Sequence, residues 1–306
     1  MYLNCHSYYS LRYGTLSIEE LVQEAASQGL RYLGLTDIHC STGVFDFAKA
    51  CLEHNIKPIV GMEFRHKGIL SYVALAKNHE GLQRINNLMT QSNLKETTIP
   101  TQHPDLDNCF IIYPTSNTPQ WLLENEFIGI SLHDLKRYRN PDLASSKKLV
   151  VLHSVTYKNS QGHELHKLLR CVEHNILYAK LKEVPSATTI EYVIPLGQFV
   201  NYFKSHPEII DNSNRLAEQC DFQFDFKTLK NKKNFTGNHY EDKMLLETLA
   251  REGFRTRYPA NDKVAQDRLE SELEVIDKLQ FACYFLTTWD IVRYSLHHDF
   301  FHVGRG

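Results

Sequence analysis

LGLTDIHCSTGVFDFAKACLEHNIKPIVGMEF, from Leu33 to Phe64, decides how the rest of the chain is read. Leu33 to Thr36 is an apolar run that stops at Asp37-Ile38-His39. Phe45, Ala48 and Cys51-Leu52 then recur at helical spacing, and Lys57 to Phe64 is a second buried-strand run that reaches Glu63. Two parallel strands joined by a helix put both carboxyl ends on one rim, so Asp37, His39 and Glu63 are expected to face a common mouth.

Working outward, the same alternation continues. Ser17-Ile-Glu-Glu20 is a capping-box pattern, and Ile18, Leu21, Val22, Ala25 and Ala26 mark one helical face that Gly29 closes. Downstream come a strand at Ser71–Ala76 and a helix with Leu82, Ile85 and Leu88-Met89 on one side. A loop over 93–108 follows, then apolar strands at Phe110–Tyr113, Phe127–Ile130 and Leu149–Leu152. Strand and helix alternate to about residue 180, the pattern of a parallel α/β architecture. Six or seven strands favour a closed, slightly irregular barrel over an open sheet.

Near residue 221 the character changes. FKTLKNKKNFTGN, Phe226 to Asn238, is lysine-rich and poor in apolar residues and reads as an exposed, solvated connector, with a phosphate-contacting basic loop as the alternative. Beyond it the chain is helical: Leu245, Leu246 and Leu249 mark one helix, and Leu269, Leu273, Ile276 and Leu279 mark another that is laced with Glu and Lys. Trp289 and the Phe/Tyr set of 281–301, beside Leu286 and Ile291, read as core rather than as base-stacking groups.

The bulk numbers bound the classes. With 306 residues there is room for one large domain and a smaller one. A net charge of -2 gives no overall basic surface for nucleic acid, so any such contact is local. Seven scattered cysteines without a Cys-x-x-Cys pair suit reduced thiols and a cytoplasmic location better than a disulfide framework or structural zinc. No run of about 18 apolar residues offers a membrane span, and polar Asn4, His6 and Ser7 interrupt any signal-peptide core.

The residues also carry a family resemblance. HSYYSLRYG at 6–14, LTDIHCSTGVFDFAKACLEHNIKPIVGMEF at 35–64 and LAKNHEGLQRI at 75–85 resemble, in order, the PHP (polymerase and histidinol phosphatase) domain of bacterial C-family DNA polymerases. RLESELEVIDKLQFACYFLTTWDIVRYS at 268–295, followed by VGRG at 303–306, resembles the entry to the polymerase palm. The resemblance implies an irregular PHP-type (β/α)7, TIM-like barrel followed by a mainly helical segment. The implied division is a PHP domain at 1–225, a basic connector at 226–239 and the beginning of the palm at 240–306. No tail follows Gly304-Arg305-Gly306, so the sequence reads as the front of a longer protein.

The family's metal-dependent members hold three divalent ions on about nine His, Asp and Glu ligands for phosphoester hydrolysis. Carried over position by position, the opening His-x-His is Asn4-Cys5-His6, an Asp becomes Tyr13, and Thr-Asp-His becomes Thr36-Asp37-Ile38. The Glu is kept as Glu63, a His becomes Ser71, and a Cys falls near Ser116. A later His corresponds to His133, and the closing Asp-x-His becomes Ser154-Val155-Thr156. The surviving positions are therefore His6, Asp37, Glu63 and His133, too few for a trimetal centre, which reads as a vestigial site with no metal expected. The alternative is a single ion on His6, Asp37 and Glu63, with His39 able to stand in for the His missing at Ile38. Without metal, Asp37 and Glu63 need partners, expected among His6, Tyr13 and backbone amides.

At the other end, the resemblance makes Gly304, Arg305 and Gly306 nucleotide-phosphate contacts, glycine backbone and guanidinium both suiting phosphate oxygens. It implies a DNA-directed DNA polymerase, a nucleotidyltransferase of DNA replication using Mg2+, DNA and dNTP, with other replicase subunits as possible partners. The palm aspartates lie beyond this sequence, so the segment itself is expected to be inactive, with no cofactor of its own. The rival classes are a metal-dependent PHP phosphoesterase or 3'-5' exonuclease proofreading module, and a stand-alone phosphatase, which leaves 268–306 without a purpose.

Overall fold

The computed structural model describes residues 1–95, 97–135, 147–228 and 230–304. The chain divides into two units, Met1–Phe224 and Asp225–Gly306.

In the first unit, strands β2 (Tyr32–Leu35), β3 (Lys57–His66), β4 (Ile69–Ala76), β5 (Cys109–Pro114), β6 (Glu126–Ile130) and β7 (Leu149–Val151) lie side by side in sequence order. Strand β8 (Ser154–Val155) follows β7 after two residues and pairs in parallel with β1 (Asn4–Cys5). β1 in turn reaches β2 through a Tyr2–Leu33 bridge and through Thr36 N–H donating to Cys5 O at 2.9 Å. The six-stranded sheet thus curls round, and the β1–β8 pair spans its two ends to give a TIM-like barrel.

One strand breaks the parallel pattern. β4 is antiparallel to both β3 and β5. The expectation of a parallel arrangement fails at this strand because Lys67-Gly68, both at positive φ, turn β3 straight back into β4. The mouth of the barrel is therefore built from the carboxyl ends of β1, β2 and β3 and the amino end of β4.

Period-two alternation sorts the strand side chains into two layers. Val60, Met62, Phe64, Tyr72, Ala74, Ile111 and Tyr113 join the helices α1 (Ile18–Ser27), α2 (Val44–Glu53) and α3 (His79–Lys95) in the larger cluster. Ile59, Val73, Leu75, Phe110, Ile112 and Val150 form the other, with Leu216 and Ala217 of a helix near the end of this unit. Glu63 has the parity of Ile59 and so turns inward. Gly61 lets β4 come close: a Cβ there would stand 2.2 Å from Ala74 O.

The helices follow their local chemistry. Ser17 and Glu20 make the full capping box of α1, whose Ile18, Leu21, Val22 and Ala25 are buried. In α2 the buried face is Val44, Phe47, Ala48 and Cys51, while Phe45 and Leu52 are exposed. The spacing located this helix, but Gly43 starts it so that Phe47 rather than Phe45 meets the sheet. After β6 comes α4 (Leu132–Leu135), then α5 (Ser160–His174), α6 (Leu196–Tyr202) and α7 (Pro207–Gln219). Leu216 and Ala217 of α7 plug the ring at the amino end, opposite the mouth.

The second unit holds α8 (His239–Arg257), α9 (Lys263–Lys278) and α10 (Ala282–His297). Asn238 and Asp262 cap α8 and α9 through Glu241 N–H and Ala265 N–H. Before α8, Phe235 and Thr236 are tied to buried Asp242 by two backbone amides and a hydroxyl, so part of the lysine-rich stretch is anchored rather than solvated. Leu273, Ala282, Cys283 and Leu286 are buried. Phe281, Tyr284, Phe285, Ile291, Tyr294, Phe300 and Phe301 are exposed, contrary to the expectation that this aromatic set is core. Helical spacing put apolar residues on more than one side of α10, and its buried residues occupy a single narrow stripe.

Candidate functional site: a self-neutralised barrel mouth

His6 and Glu63 are in contact at the mouth and Asp37 lies at the end of the neighbouring strand, all three buried. His6 follows β1, Asp37 follows β2, and Glu63 lies in β3, its backbone bridged to Ile38. What these side chains touch determines what the site can do.

Glu63 takes three donors. Asn4 Nδ2 at 2.8 Å and His6 Nε2 at 2.9 Å share Oε2, and Arg65 Nε holds Oε1. Burial alone would raise this carboxyl, but Arg65 and then His6 outweigh it and hold the group far below the usual carboxylate range. Asp37 also takes three: the Ser7 amide and the Ser10 hydroxyl on Oδ1, at 2.7 and 2.6 Å, and the Ser7 hydroxyl on Oδ2 at 2.7 Å. The partners named for the carboxylates are thus His6 for Glu63 and a backbone amide for Asp37, whereas Tyr13 partners Arg65 instead.

The replaced positions form the surrounding network. Asn4 Nδ2 also donates to Ser154 Oγ at 2.8 Å, and Thr36 Oγ1 donates to Asn4 Oδ1 at 2.6 Å. His6 Nδ1 lies 3.0 Å from Thr156 Oγ1, and that hydroxyl donates onward to Glu191 Oε2 at 2.8 Å. Burial pushes the Glu191 carboxyl up from its ordinary value. Tyr13 stands edge-on to His6, with ring centroids 5.5 Å apart, and the Arg65 guanidinium lies 4.1 Å above its ring. Ser71 is buried and accepts from Asn117 Nδ2 through its backbone carbonyl, while Ser116 sits in a short 3-10 turn, Thr115–Asn117.

Two positions stand apart. His39, at φ 50°, turns its Nε2 to accept the Arg65 amide at 2.9 Å and packs on Phe64. It does not take the place left by Ile38, because a step of one residue at a strand end redirects the side chain. His133 is exposed on α4, and among the described residues no hydrogen bond joins it to His6, Asp37 or Glu63. At the other end of the chain Gly304 is exposed, and Arg305 and Gly306 lie outside the described residues.

Sequence reasoning missed Arg65. Its signal was available: two residues beyond Glu63 on a strand, a side chain returns to the same face. A β-bulge between Phe64 and Arg65 then sets the aim of the guanidinium. Ser7 and Ser10 were also missed, since hydroxyls in a polar loop show no pattern.

Metal ligands need lone pairs aimed at the ion and free of competing donors. Here both carboxylates are engaged by the chain itself, and His6 Nε2 points at Glu63. Among the described residues no three His, Cys, Asp or Glu side chains are grouped to hold a metal. The residues present do not fit the trimetal centre that the family resemblance implies. The shared single-ion site on His6, Asp37 and Glu63 fits no better, because Asp37 belongs to the serine loop. Above the mouth is a cleft of about 450 Å³ whose walls include Tyr9, Tyr13, His39, Arg65, Lys67 and Arg170.

Comparison with known proteins agrees with this architecture. Residues 3–125 match the PHP domain family, and residues 244–306 match the family described as the bacterial DNA polymerase III alpha NTPase domain. The DNA polymerase III subunit alpha of Bacillus subtilis is 27% identical over 331 residues, covering 96% of this chain and 30% of the relative. The subunit of the same name from Staphylococcus epidermidis is 25% identical over 311 residues, covering 100% of this chain and 28% of the relative. An error-prone DNA polymerase of Symbiobacterium thermophilum is 25% identical over 356 residues, covering 100% and 33%. The chain therefore spans about a third or less of the length of these relatives. With the two families matched in this order, the chain is similar to the PHP-bearing N-terminal region of the bacterial C-family DNA polymerases.

Proposed function

We propose that this chain is the N-terminal part of a template-directed DNA polymerase of DNA replication, and that its barrel is a structural platform rather than a phosphoesterase. The observation that carries the second half is the closed donor set on Glu63 and Asp37. A hydrolytic PHP site needs those oxygens to gather divalent ions, activate water and offset charge on the phosphoryl group. With Arg65, His6, Asn4, Ser7 and Ser10 on them, they stabilise the mouth instead.

On this reading, polymerisation belongs to the full protein, with DNA, dNTP and Mg2+ as its substrates and cofactor and other replicase subunits as partners. Gly304 with Arg305 and Gly306 would approach the nucleotide phosphates there, and the metal-holding palm carboxylates would lie further along. On this reading the full protein works in the cytoplasm. Among the described residues no helix is long and apolar enough to cross a membrane.

The test has two arms. The full-length protein should extend a primer on a template with Mg2+. The 306-residue chain, given Mn2+ or Zn2+, should release no nitrophenol from a nitrophenyl phosphodiester above the Glu63→Ala background. Metal-dependent release that disappears in Glu63→Ala would favour the phosphoesterase or proofreading exonuclease instead.

A further inference from the structure

The way the mouth stays neutral points to one residue. Glu63 is wholly buried, and such a carboxylate is costly unless a cation or strong donors meet it. In a metal-dependent barrel the ions supply that positive charge. In this chain the group meeting Glu63 Oε1 is the guanidinium of Arg65, whose side chain is only 11% exposed.

Arg65 is held on three sides. Its Nε is on Glu63, its backbone amide is on His39 Nε2 at 2.9 Å, and its guanidinium lies 4.1 Å over the Tyr13 ring. Tyr13 stands where the family resemblance expects a carboxylate. That exchange matters chemically: a carboxylate would help hold a metal, whereas an aromatic face holds an organic cation. A surface ion pair is excluded by the burial of both members.

We infer that Arg65 is a tethered cation standing in for the divalent ions of the PHP site, so that removing it reopens Glu63 and His6 to a metal. This rests on the reading of the barrel as a non-hydrolytic platform and gives that platform its mechanism. A side-chain cation cannot be chelated or diluted away, so the mouth keeps its charge balance whatever the metal supply.

The experiment compares wild type, Arg65→Met, Arg65→Lys and the double variant Glu63→Gln/Arg65→Met by thermal melting, with and without about 1 mM Mn2+ or Zn2+. Wild type should not shift. Arg65→Met should melt lower by roughly 6–12 °C and recover about a third of that loss with metal. Arg65→Lys should lose less than Arg65→Met. The double variant should melt above Arg65→Met, because the uncompensated charge is gone, and should not respond to metal. If Arg65→Met does not fold while the double variant does, the inference stands; if neither folds, it is overturned. An Arg65→Met protein that is silent to metal, beside a silent wild type, also overturns it. A wild type that shifts with metal instead overturns the platform reading itself.

Discussion

Replacing Asp37 by Ala separates a structural carboxylate from a metal ligand. Asp37 is 1% exposed and gathers the Ser7 amide, the Ser7 hydroxyl and the Ser10 hydroxyl within 2.7 Å. The two serines are themselves acceptors, Ser7 Oγ from Tyr9 N–H and Ser10 Oγ from Ile38 N–H. Removing the carboxylate therefore loosens the whole 7–10 loop from the end of β2. Hydrogen bonds to a charged group contribute about 1.5–3 kcal/mol each, and hydroxyls can rotate toward other acceptors while the buried amide cannot. A total of roughly 4 kcal/mol follows, with the two hydroxyls counted at half weight. For a unit of this size that lowers the melting temperature by about 8–16 °C. Asp37→Asn keeps the shape and one acceptor and should lose roughly half as much. The assay is thermal melting by circular dichroism, run with and without EDTA. Equal losses in both buffers are expected. A variant melting within about 2 °C of wild type, or a difference that vanishes in EDTA, would refute the reasoning.

Three further outcomes follow from other groups. Glu63 is held below its ordinary value of 4.5, so its stabilisation is full above that pH and drains as the pH falls toward the folded value; wild type should lose stability faster than Glu63→Gln on acidification below 4.5, as read by urea midpoints. A Cβ at Gly14 would stand 2.0 Å from Ser7 O, a backbone atom that cannot give way, so Gly14→Ala should cost more than about 3 kcal/mol or abolish soluble expression. Asp242→Ala removes the acceptor for Phe235 N–H, Thr236 N–H and Thr236 Oγ1, and hydrogen exchange should rise over 235–237 while the barrel amides stay protected.

Much of the barrel was legible because buried parallel strands announce themselves as apolar runs, and Ser17-x-x-Glu20 announces a helix start. β4's direction was not, since a strand reads the same both ways and only Lys67-Gly68 hinted at a hairpin. At the mouth, Asp37 and Glu63 stood out as acids at strand ends. Arg65 did not, because an arginine near the end of a strand usually goes to solvent, and here a bulge and the Tyr13 face bring it in. Ser7 and Ser10 escaped for a different reason: their role depends on a backbone turn that places two hydroxyls and an amide on one carboxylate. In the second unit, helical spacing located α10 but could not say which of its aromatic sides would be covered.

The most direct test of a mouth neutralised by its own side chains is the divalent-metal content of the purified, metal-reconstituted wild-type chain, measured by inductively coupled plasma mass spectrometry after desalting. Well under one ion per chain is expected, on the order of 0.1 or less. Two or three tightly held ions per chain, lost together in Glu63→Ala, would contradict it.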